Sequence, residues 1–165
     1  MLKRSLSLVA ALCALSFSLV HAQDDTKPAA REAAKPQASV ASKTAKFGTV
    51  KLGDGSVKLG DGSVTKALKA TDLAGAKKLI GKEAAFEGTV ATVYTPKGNG
   101  LLILNFDKNY RNALTAVLRS KNYAEFPDMQ TLKGKHVLVT GKFEDYKGSA
   151  ELVLTKPDQI KLITE

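Results

Sequence analysis

Cysteine is nearly absent from this chain of 165 residues, which holds a single one, Cys13, near its amino terminus. A lone cysteine cannot form a disulfide within the chain, and it excludes a set of thiolate ligands for zinc. Tryptophan is missing, and the two histidines are His21 and His136. The side-chain sets that bind catalytic metals or activate a nucleophile therefore have few candidates.

No catalytic motif surrounds His136, which starts a predicted strand, so a structural or solvent-exposed role is favoured. The glycine-rich segments lack the Lys-Ser/Thr pair that a phosphate-binding loop needs. Glu144, Asp145 and Glu151 fall near a predicted hairpin tip, where charged residues are common, and we interpret them as solvated. The sequence thus predicts no catalytic residue, no metal site and no cofactor, and it favours a protein that is not an enzyme.

Residues 1–22 have the three parts of a secretory signal peptide. Lys3 and Arg4 precede an apolar run at residues 6–20, and residues 20–22 are suited to cleavage before Gln23. That run is shorter than the roughly 20 residues that cross a bilayer. We therefore expect an exported protein, periplasmic or secreted, with no membrane span after cleavage. Loss of the two basic residues leaves 23 basic and 16 acidic residues, a net charge of +7.

The composition of residues 23–66 predicts a low-complexity flexible linker. Up to about residue 46 the segment is rich in Ala, Lys, Pro, Gln, Ser and Thr, so it cannot bury enough apolar surface to fold. A tandem repeat, Val-Lys-Leu-Gly-Asp-Gly-Ser, follows at residues 50–56 and 57–63. Its Asp-Gly pairs are turn signals, which predict a weak hairpin or more flexible linker. Asp54 and Asp61 are too few for the roughly six to eight oxygen ligands of calcium.

Residues 67–165 have the pattern of a folded β domain. Thr71 and Asp72 are suited to cap a short helix that ends at Gly81. Residues 81–90 and 134–143 then share the pattern Gly-Lys-x-apolar-x-apolar-x-Gly-x-apolar. The alternation predicts strands with one buried face, and the interior glycine predicts a bend or a close contact.

Three further strands are predicted at residues 101–106, 113–118 and 150–155, with Leu102, Leu104 and Phe106 facing the core. A helical connection, broken at Pro127, separates the third strand from the fourth. Five short strands in this order match the oligonucleotide/oligosaccharide-binding (OB) barrel. The predicted fold class is all-β with short helices: a five-stranded OB barrel preceded by a helix, with a disordered amino-terminal segment.

The same residues resemble a known family. Residues 80–90, residues 104–110, the pair Phe126-Pro127 and residues 133–148 resemble bacterial OB-fold nucleic-acid-binding domains. That group is related to anticodon-binding-like OB domains, and it includes stand-alone secreted proteins and modules attached to thermonuclease-like enzymes. The resemblance covers about residues 71–163 and implies the OB fold together with a nucleic-acid-binding role.

The ligand of an OB domain crosses strands two and three, between the strand 1–2 and 4–5 loops. Single-strand binders stack bases on aromatic side chains and hold phosphates with basic ones. On that pattern the predicted ligand-binding residues are Tyr94, Tyr110 and Tyr146 for bases, Lys97, Lys108, Arg111, Lys142 and Lys147 for phosphates, and Asn99 and Asn105 beside them. Asn105 is included because it alternates with the core residues of its strand.

The sequence therefore predicts a monomeric binding protein whose partner is single-stranded nucleic acid or another polyanion. A periplasmic module that binds a small ligand, a glycan or a protein on the same face is the alternative. Residues 67–165 hold 15 basic and 11 acidic residues, a net charge of +4, which is no dense basic stripe. Added salt weakens single-strand binding steeply, whereas it leaves the binding of a neutral ligand nearly unchanged.

Overall fold

The computed structural model describes residue 42, residues 44–98 and residues 100–164. The predicted signal peptide (residues 1–22), the predicted linker and disordered segment as far as residue 41, and Asn99 lie outside the described residues. The strands are β1 (Gly48–Val50), β2 (Ser56–Lys58), β3 (Val64–Lys66), β4 (Leu68–Lys69), β5 (Glu83–Thr89), β6 (Thr92–Tyr94), β7 (Leu101–Asn105), β8 (Thr115–Arg119), β9 (His136–Tyr146), β10 (Ser149–Leu154) and β11 (Ile160–Ile163).

Helices are short in the described part of the chain, which is mostly β, as the sequence predicts. The α-helix α1 spans Leu73–Lys77, and 3-10 helices span Ser120–Glu125, Met129–Leu132 and Pro157–Gln159. The side chain of Asp72 caps α1 by accepting a hydrogen bond of 2.8 Å from the Gly75 N–H. Searched over the described residues, no helix has the length and apolar character needed to cross a membrane.

Six strands pair in an order that turns back on itself. β6 pairs with β7, β7 with β8, β8 in parallel with β10, β10 with β9, and β9 with β5. Because β5 and β6 are separated by Val90 and Ala91 alone, the last pairing returns to the segment that makes the first. β9 connects both sides, since residues 136–142 pair with β5 and residues 143–146 pair with β10. The sheet is therefore strongly curled.

Two glycines, one in each copy of the shared pattern, permit the curl. A Cβ on Gly88 would lie 2.7 Å from the Cβ of Ala70 and 2.9 Å from a ring carbon of Phe106. Gly141 has a φ of 148°, which residues with a side chain rarely adopt, and its Cβ would lie 3.1 Å from Leu152. The close contacts predicted at these glycines are present, and side chains make them.

The main core lies inside the curl of the sheet. Phe86 and Phe143 of the two patterned strands are fully buried, and the rings of Phe86 and Phe106 pack edge to face with centres 4.9 Å apart. Leu102 and Leu104 are buried with Phe106, as the alternation predicts. Each such side chain contributes about 1.5–3 kcal/mol when it is fully buried.

The tandem repeat is folded, in contrast to the flexible linker predicted as far as residue 66. Its first copy begins at Val50 in β1, which pairs in parallel with β11. Its second copy supplies Val57 and Leu59 to a separate apolar cluster with Ala85 of β5 and Leu138 of β9. The linker prediction fails because the repeat packs on other strands and needs no core of its own. It covers the second face of β5 and β9, whereas the sequence predicts that only one face of these strands is buried.

The Asp61-Gly62 turn of the second copy lies in a hairpin, as its turn signal predicts, whereas the Asp54-Gly55 turn joins β1 to β2, which do not pair with each other. Asp54 Oδ1 accepts a hydrogen bond from the Ser56 N–H, and Asp61 Oδ1 accepts one from the Ser63 N–H, each at 2.9 Å. β2 and β3 then pair as an antiparallel hairpin between residues 56–58 and 64–66. The folded part of the chain therefore includes the repeat, and the predicted domain start at residue 67 is too late.

Candidate ligand-binding cleft

An open cleft of about 850 Å³ lies on the outer surface of the curled sheet, against β6, β7, β8 and β10. Known ligand pockets have volumes of roughly 300–1,000 Å³. Strand alternation turns Asn105, Thr115 and Glu151 outward into the cleft. Strand pairing places these three in one row, with Asn105 opposite Thr115 and Thr115 opposite Glu151. We call Asn105, Thr115 and Glu151 the polar row.

Three tyrosines line the cleft, and each is more than half exposed. Tyr94 ends β6, Tyr110 lies in the loop between β7 and β8, and Tyr146 ends β9. Their exposed fractions are 52%, 58% and 55%. Aromatic rings offer a large apolar surface for flat groups, and exposed apolar patches mark binding sites when they are contiguous. Their presence in one cleft indicates a surface on which planar ligand groups can stack.

Two of these tyrosines carry a basic side chain over the ring. The guanidinium carbon of Arg111 lies 5.5 Å from the ring centre of Tyr110, and Arg111 Nε donates a 3.2 Å hydrogen bond to the tyrosine hydroxyl. Lys147 Nζ lies 5.3 Å from the ring centre of Tyr146. Such cation–π contacts contribute about 0.5–1 kcal/mol at exposed sites. Each pair thus combines a stacking surface with a positive charge.

The loop between β7 and β8 holds Tyr110 and Arg111 through hydrogen bonds of its own. Asp107 Oδ1 accepts a 2.8 Å bond from the Asn109 N–H, and Asn109 Oδ1 accepts a 3.2 Å bond from the Arg111 N–H. Asp and Asn side chains stabilise turns in this way because they replace a backbone acceptor two residues away. The backbone at the first tyrosine–cation pair is therefore ordered by local sequence.

The β9–β10 hairpin positions the second pair. Lys147 and Gly148 have φ values of 53° and 81°, so both central residues are left-handed, as a two-residue hairpin turn of type I′ requires. Asp145 Oδ1 accepts a 2.7 Å hydrogen bond from the Gly148 N–H and closes the turn. Tyr146 and Lys147 therefore lie at a tight turn, which fixes their backbone at the rim of the cleft.

Glu151 is the acidic residue of the cleft lining. It lies opposite Glu144 on β9 and opposite Thr115 on β8. Partial burial raises the pKa of the Glu151 carboxyl, the nearby charge of Glu144 raises it further, and Arg119 opposes both effects. The sequence interpretation of Glu151 as a solvated residue of the hairpin tip is therefore wrong, because the parallel pairing of β8 with β10 places it in the cleft.

The structure brings six of the ten predicted ligand-binding residues into this cleft: Tyr94, Asn105, Tyr110, Arg111, Tyr146 and Lys147. Lys97, Lys108 and Lys142 are not among its lining residues. Lys97 lies in the turn before β7, at the opposite end of that strand from Asn105. Lys142 lies on β9 opposite Glu83 in the backbone pairing with β5. Tyr110 and Arg111 of the loop between β7 and β8 line the cleft. The sequence predicts that the loop between strands one and two also lines the ligand site, but no described residue of that loop is in the cleft lining.

Sequence reasoning missed several lining residues, of which Ile103 and Lys77 matter most. Ile103 faces outward on β7 directly opposite Tyr94, so it adds an apolar surface beside that ring. Lys77 adds a third basic group from the last turn of α1, one turn after Leu73, which also lines the cleft. Ile103 was identifiable from alternation with Leu102 and Leu104. Lys77 was not, because only tertiary packing brings α1 to the cleft.

The described residues contain no group of three or more His, Cys, Asp or Glu side chains able to hold a metal ion. His136 is not among the residues lining the cleft, and its Nε2 lies 3.4 Å from Glu87 Oε2. Glu87 also forms an ion pair with Lys69 on the neighbouring strand β4. The cleft itself offers aromatic faces, basic groups and hydrogen-bond acceptors, which are the components of a binding site.

Comparison with known proteins assigns no family to the chain. No protein-family model matches it, and no curated protein matches it. Among solved structures, it is similar to a chain described as "OBody AM1L10 bound to hen egg-white lysozyme", with 22% sequence identity and a TM-score of 0.36. That match covers 54% of this chain and 86% of the other. The function of the protein is therefore argued from the residues of its own cleft.

Proposed function

We propose that the protein is an OB-fold binding protein, without catalytic activity, that binds single-stranded nucleic acid in the cleft. The order of its elements supports the fold assignment. β5 and β6 together correspond to the first of five strands, β7 and β8 to the second and third, and β9 and β10 to the fourth and fifth. The helical connection falls between the third and fourth, as in the OB barrel, and the pairing returns to the first strand.

The convergence of three exposed tyrosines with basic groups in one cleft carries the functional proposal. Tyr94, Tyr110 and Tyr146 provide rings for bases, and Arg111 and Lys147 lie beside two of them. Proteins that bind single strands combine stacking on aromatic side chains with basic grooves for the backbone. The cleft lies on strands two and three of the proposed barrel, which is the face that OB domains use for oligonucleotides.

The place and state in which the protein acts are also part of the proposal. The signal-peptide pattern at residues 1–22 supports export, so we propose a monomer that acts in the periplasm or outside the cell. The alternative ligands predicted from the sequence, another polyanion, a glycan, a small molecule or a protein, would use the same cleft. Competition by an unlabelled polyanion or glycan tests the first two of these ligands in the binding experiment.

The test is a fluorescence anisotropy titration of labelled DNA and RNA single strands of about 12 nucleotides, a length within the range of single-strand sites. Binding that weakens as salt is raised supports the proposal. Absence of binding to either strand at low salt refutes it. An unlabelled glycan or polyphosphate that displaces the strand would show that the cleft accepts those ligands as well.

A further inference from the structure

The end of the polar row at Glu151 is unsuited to a phosphate. Glu151 lies in the polar row, and Glu144 faces it from the neighbouring strand. Two carboxylates on adjacent strands repel an anionic group placed between them. The basic side chains of Arg111 and Lys147 lie instead on the two turns at the rim. A nucleic-acid strand that binds here therefore places its phosphates at the rim and something other than phosphate against Glu151.

The polar row offers acceptors to a ligand. Neither of the two ion pairs in the described part of the chain involves Glu151, so its carboxylate oxygens remain open to a bound group. Asn105 uses one of its two amide N–H groups to donate a 3.0 Å hydrogen bond to Thr92 Oγ1, and its carbonyl oxygen is a further acceptor. Two acceptors in one row fit a ligand edge that carries donors.

The aromatic surface next to Glu151 can orient such an edge. Tyr146 of β9 lies opposite Ser149 of β10, and Glu151 is two residues farther along β10 on the same face. Diagonal neighbours of this kind lie about 7–8 Å from each other, within reach of aromatic and long side chains. A base that stacks on Tyr146 therefore presents its edge to Glu151.

We propose that Glu151 reads the edge of a bound base, and that the cleft prefers bases with an exocyclic amino group over thymine and uracil. This inference depends on the proposed function. A carboxylate accepts hydrogen bonds and donates none, so it pairs with the amino groups of cytosine and adenine. Thymine and uracil present a carbonyl oxygen at the position of the cytosine amino group, and its lone pairs face those of Glu151. A site built for a donor at the position of the amino group discriminates against an analogue that has an acceptor there.

Homopolymers of cytosine and thymine test this preference, because the two pyrimidines are similar in size and in stacking surface. Labelled oligo(dC) and oligo(dT) of equal length are titrated with the purified protein at neutral pH and low salt. We expect oligo(dC) to bind about 10- to 150-fold more tightly, the effect of one hydrogen bond to a charged group. Glu151→Gln should bring the two affinities close together, because a carboxamide both donates and accepts.

Glu144→Gln is the matched control. Glu144 lies opposite Glu151 on β9 but is not among the residues lining the cleft. The substitution removes the same charge, so it should strengthen the binding of oligo(dC) and oligo(dT) equally and keep the ratio of their affinities. Equal affinity of the unsubstituted protein for the two strands overturns the role of Glu151 and leaves the proposed function intact. A ratio that persists in Glu151→Gln also overturns that role. Failure of both strands to bind overturns the two proposals together.

Discussion

Among the single residues of the cleft, the tyrosines should contribute most to the binding affinity. Stacking of one base on an aromatic side chain contributes about 1–3 kcal/mol when tested by alanine substitution. We therefore expect each of Tyr94→Ala, Tyr110→Ala and Tyr146→Ala to weaken the binding of a mixed-sequence strand by about 5- to 150-fold. Because all three side chains are more than half exposed, the free energy of unfolding should stay nearly unchanged. Anisotropy and urea denaturation measure the two quantities.

The fourth tyrosine of the chain supplies the control for this series. Tyr123 packs against the core, and among the described residues its buried hydroxyl has no hydrogen-bond partner. Tyr123→Phe removes that hydroxyl without touching the cleft, so binding should stay unchanged while stability rises by about 1 kcal/mol. If the alanine variants bind as tightly as Tyr123→Phe, the bases stack on a surface other than these three tyrosines.

Glu151 makes stability depend on pH in a direction that its environment fixes. Burial and Glu144 raise the pKa of Glu151 above the ordinary value of 4.5, so near that pH the folded state binds more protons than the unfolded chain. Stability is therefore lost as the pH rises from 4.5 through the folded-state pKa. Glu151→Gln should be more stable than the unsubstituted protein at neutral pH, by less than about 1 kcal/mol because solvent screens the group.

Urea denaturation at several pH values checks this expectation. The stability difference between Glu151→Gln and the unsubstituted protein should shrink as the pH falls through the folded-state pKa toward 4.5, and it should stay small below 4.5, where the carboxyl is protonated in both folded and unfolded states. A difference that stays constant over the whole range would mean that the carboxyl is as well solvated in the fold as in the unfolded chain.

Among the elements, the tandem repeat permits a comparison of two identical sequences in different surroundings. Leu52 and Leu59 occupy the same position in the two copies, but Leu59 is 6% exposed in the cluster on β5 and β9 and Leu52 is only partly buried. Leu59→Ala should lower the free energy of unfolding by about 2–5 kcal/mol, as buried leucines do. Leu52→Ala should cost clearly less. Urea denaturation of both variants decides, and equal losses would show that the copies are equivalently packed.

How far the elements follow from sequence depends on whether their signals are local. β9 follows from the pattern at residues 134–143, because its alternation and glycine are contained in the strand itself. α1 was predicted from its cap at Asp72, although it ends earlier than its apolar residues suggested. The repeat was mistaken for a linker because its few apolar residues become buried only against Ala85 and Leu138, which are distant in sequence. The same reason hid Glu151, whose neighbour Thr115 comes from another strand.

For the molecule as a whole, the placement of charge matters more than its total. The chain carries a net charge of +9, yet the basic residues that line the cleft are Lys77, Arg111 and Lys147. Each contact between a basic group and a phosphate of a single strand changes the slope of log K against log salt by about −0.7. Three contacts therefore predict a slope of about −2 for the protein. If a general attraction between opposite charges holds the strand instead, the slope should not depend on which basic residue is removed.

Substitutions that change net charge equally separate these two cases. Arg111→Gln and Lys147→Gln each remove one charge from the cleft, and each should make the slope of log K against log salt shallower by about 0.7. Lys142→Gln removes one charge from β9 outside the cleft lining, so its slope should match that of the unsubstituted protein. Anisotropy titrations at several salt concentrations between about 50 and 200 mM give all four slopes. If Lys142→Gln changes the slope as much as the cleft substitutions do, the strand is held by the overall charge of the molecule and the cleft does not bind its backbone.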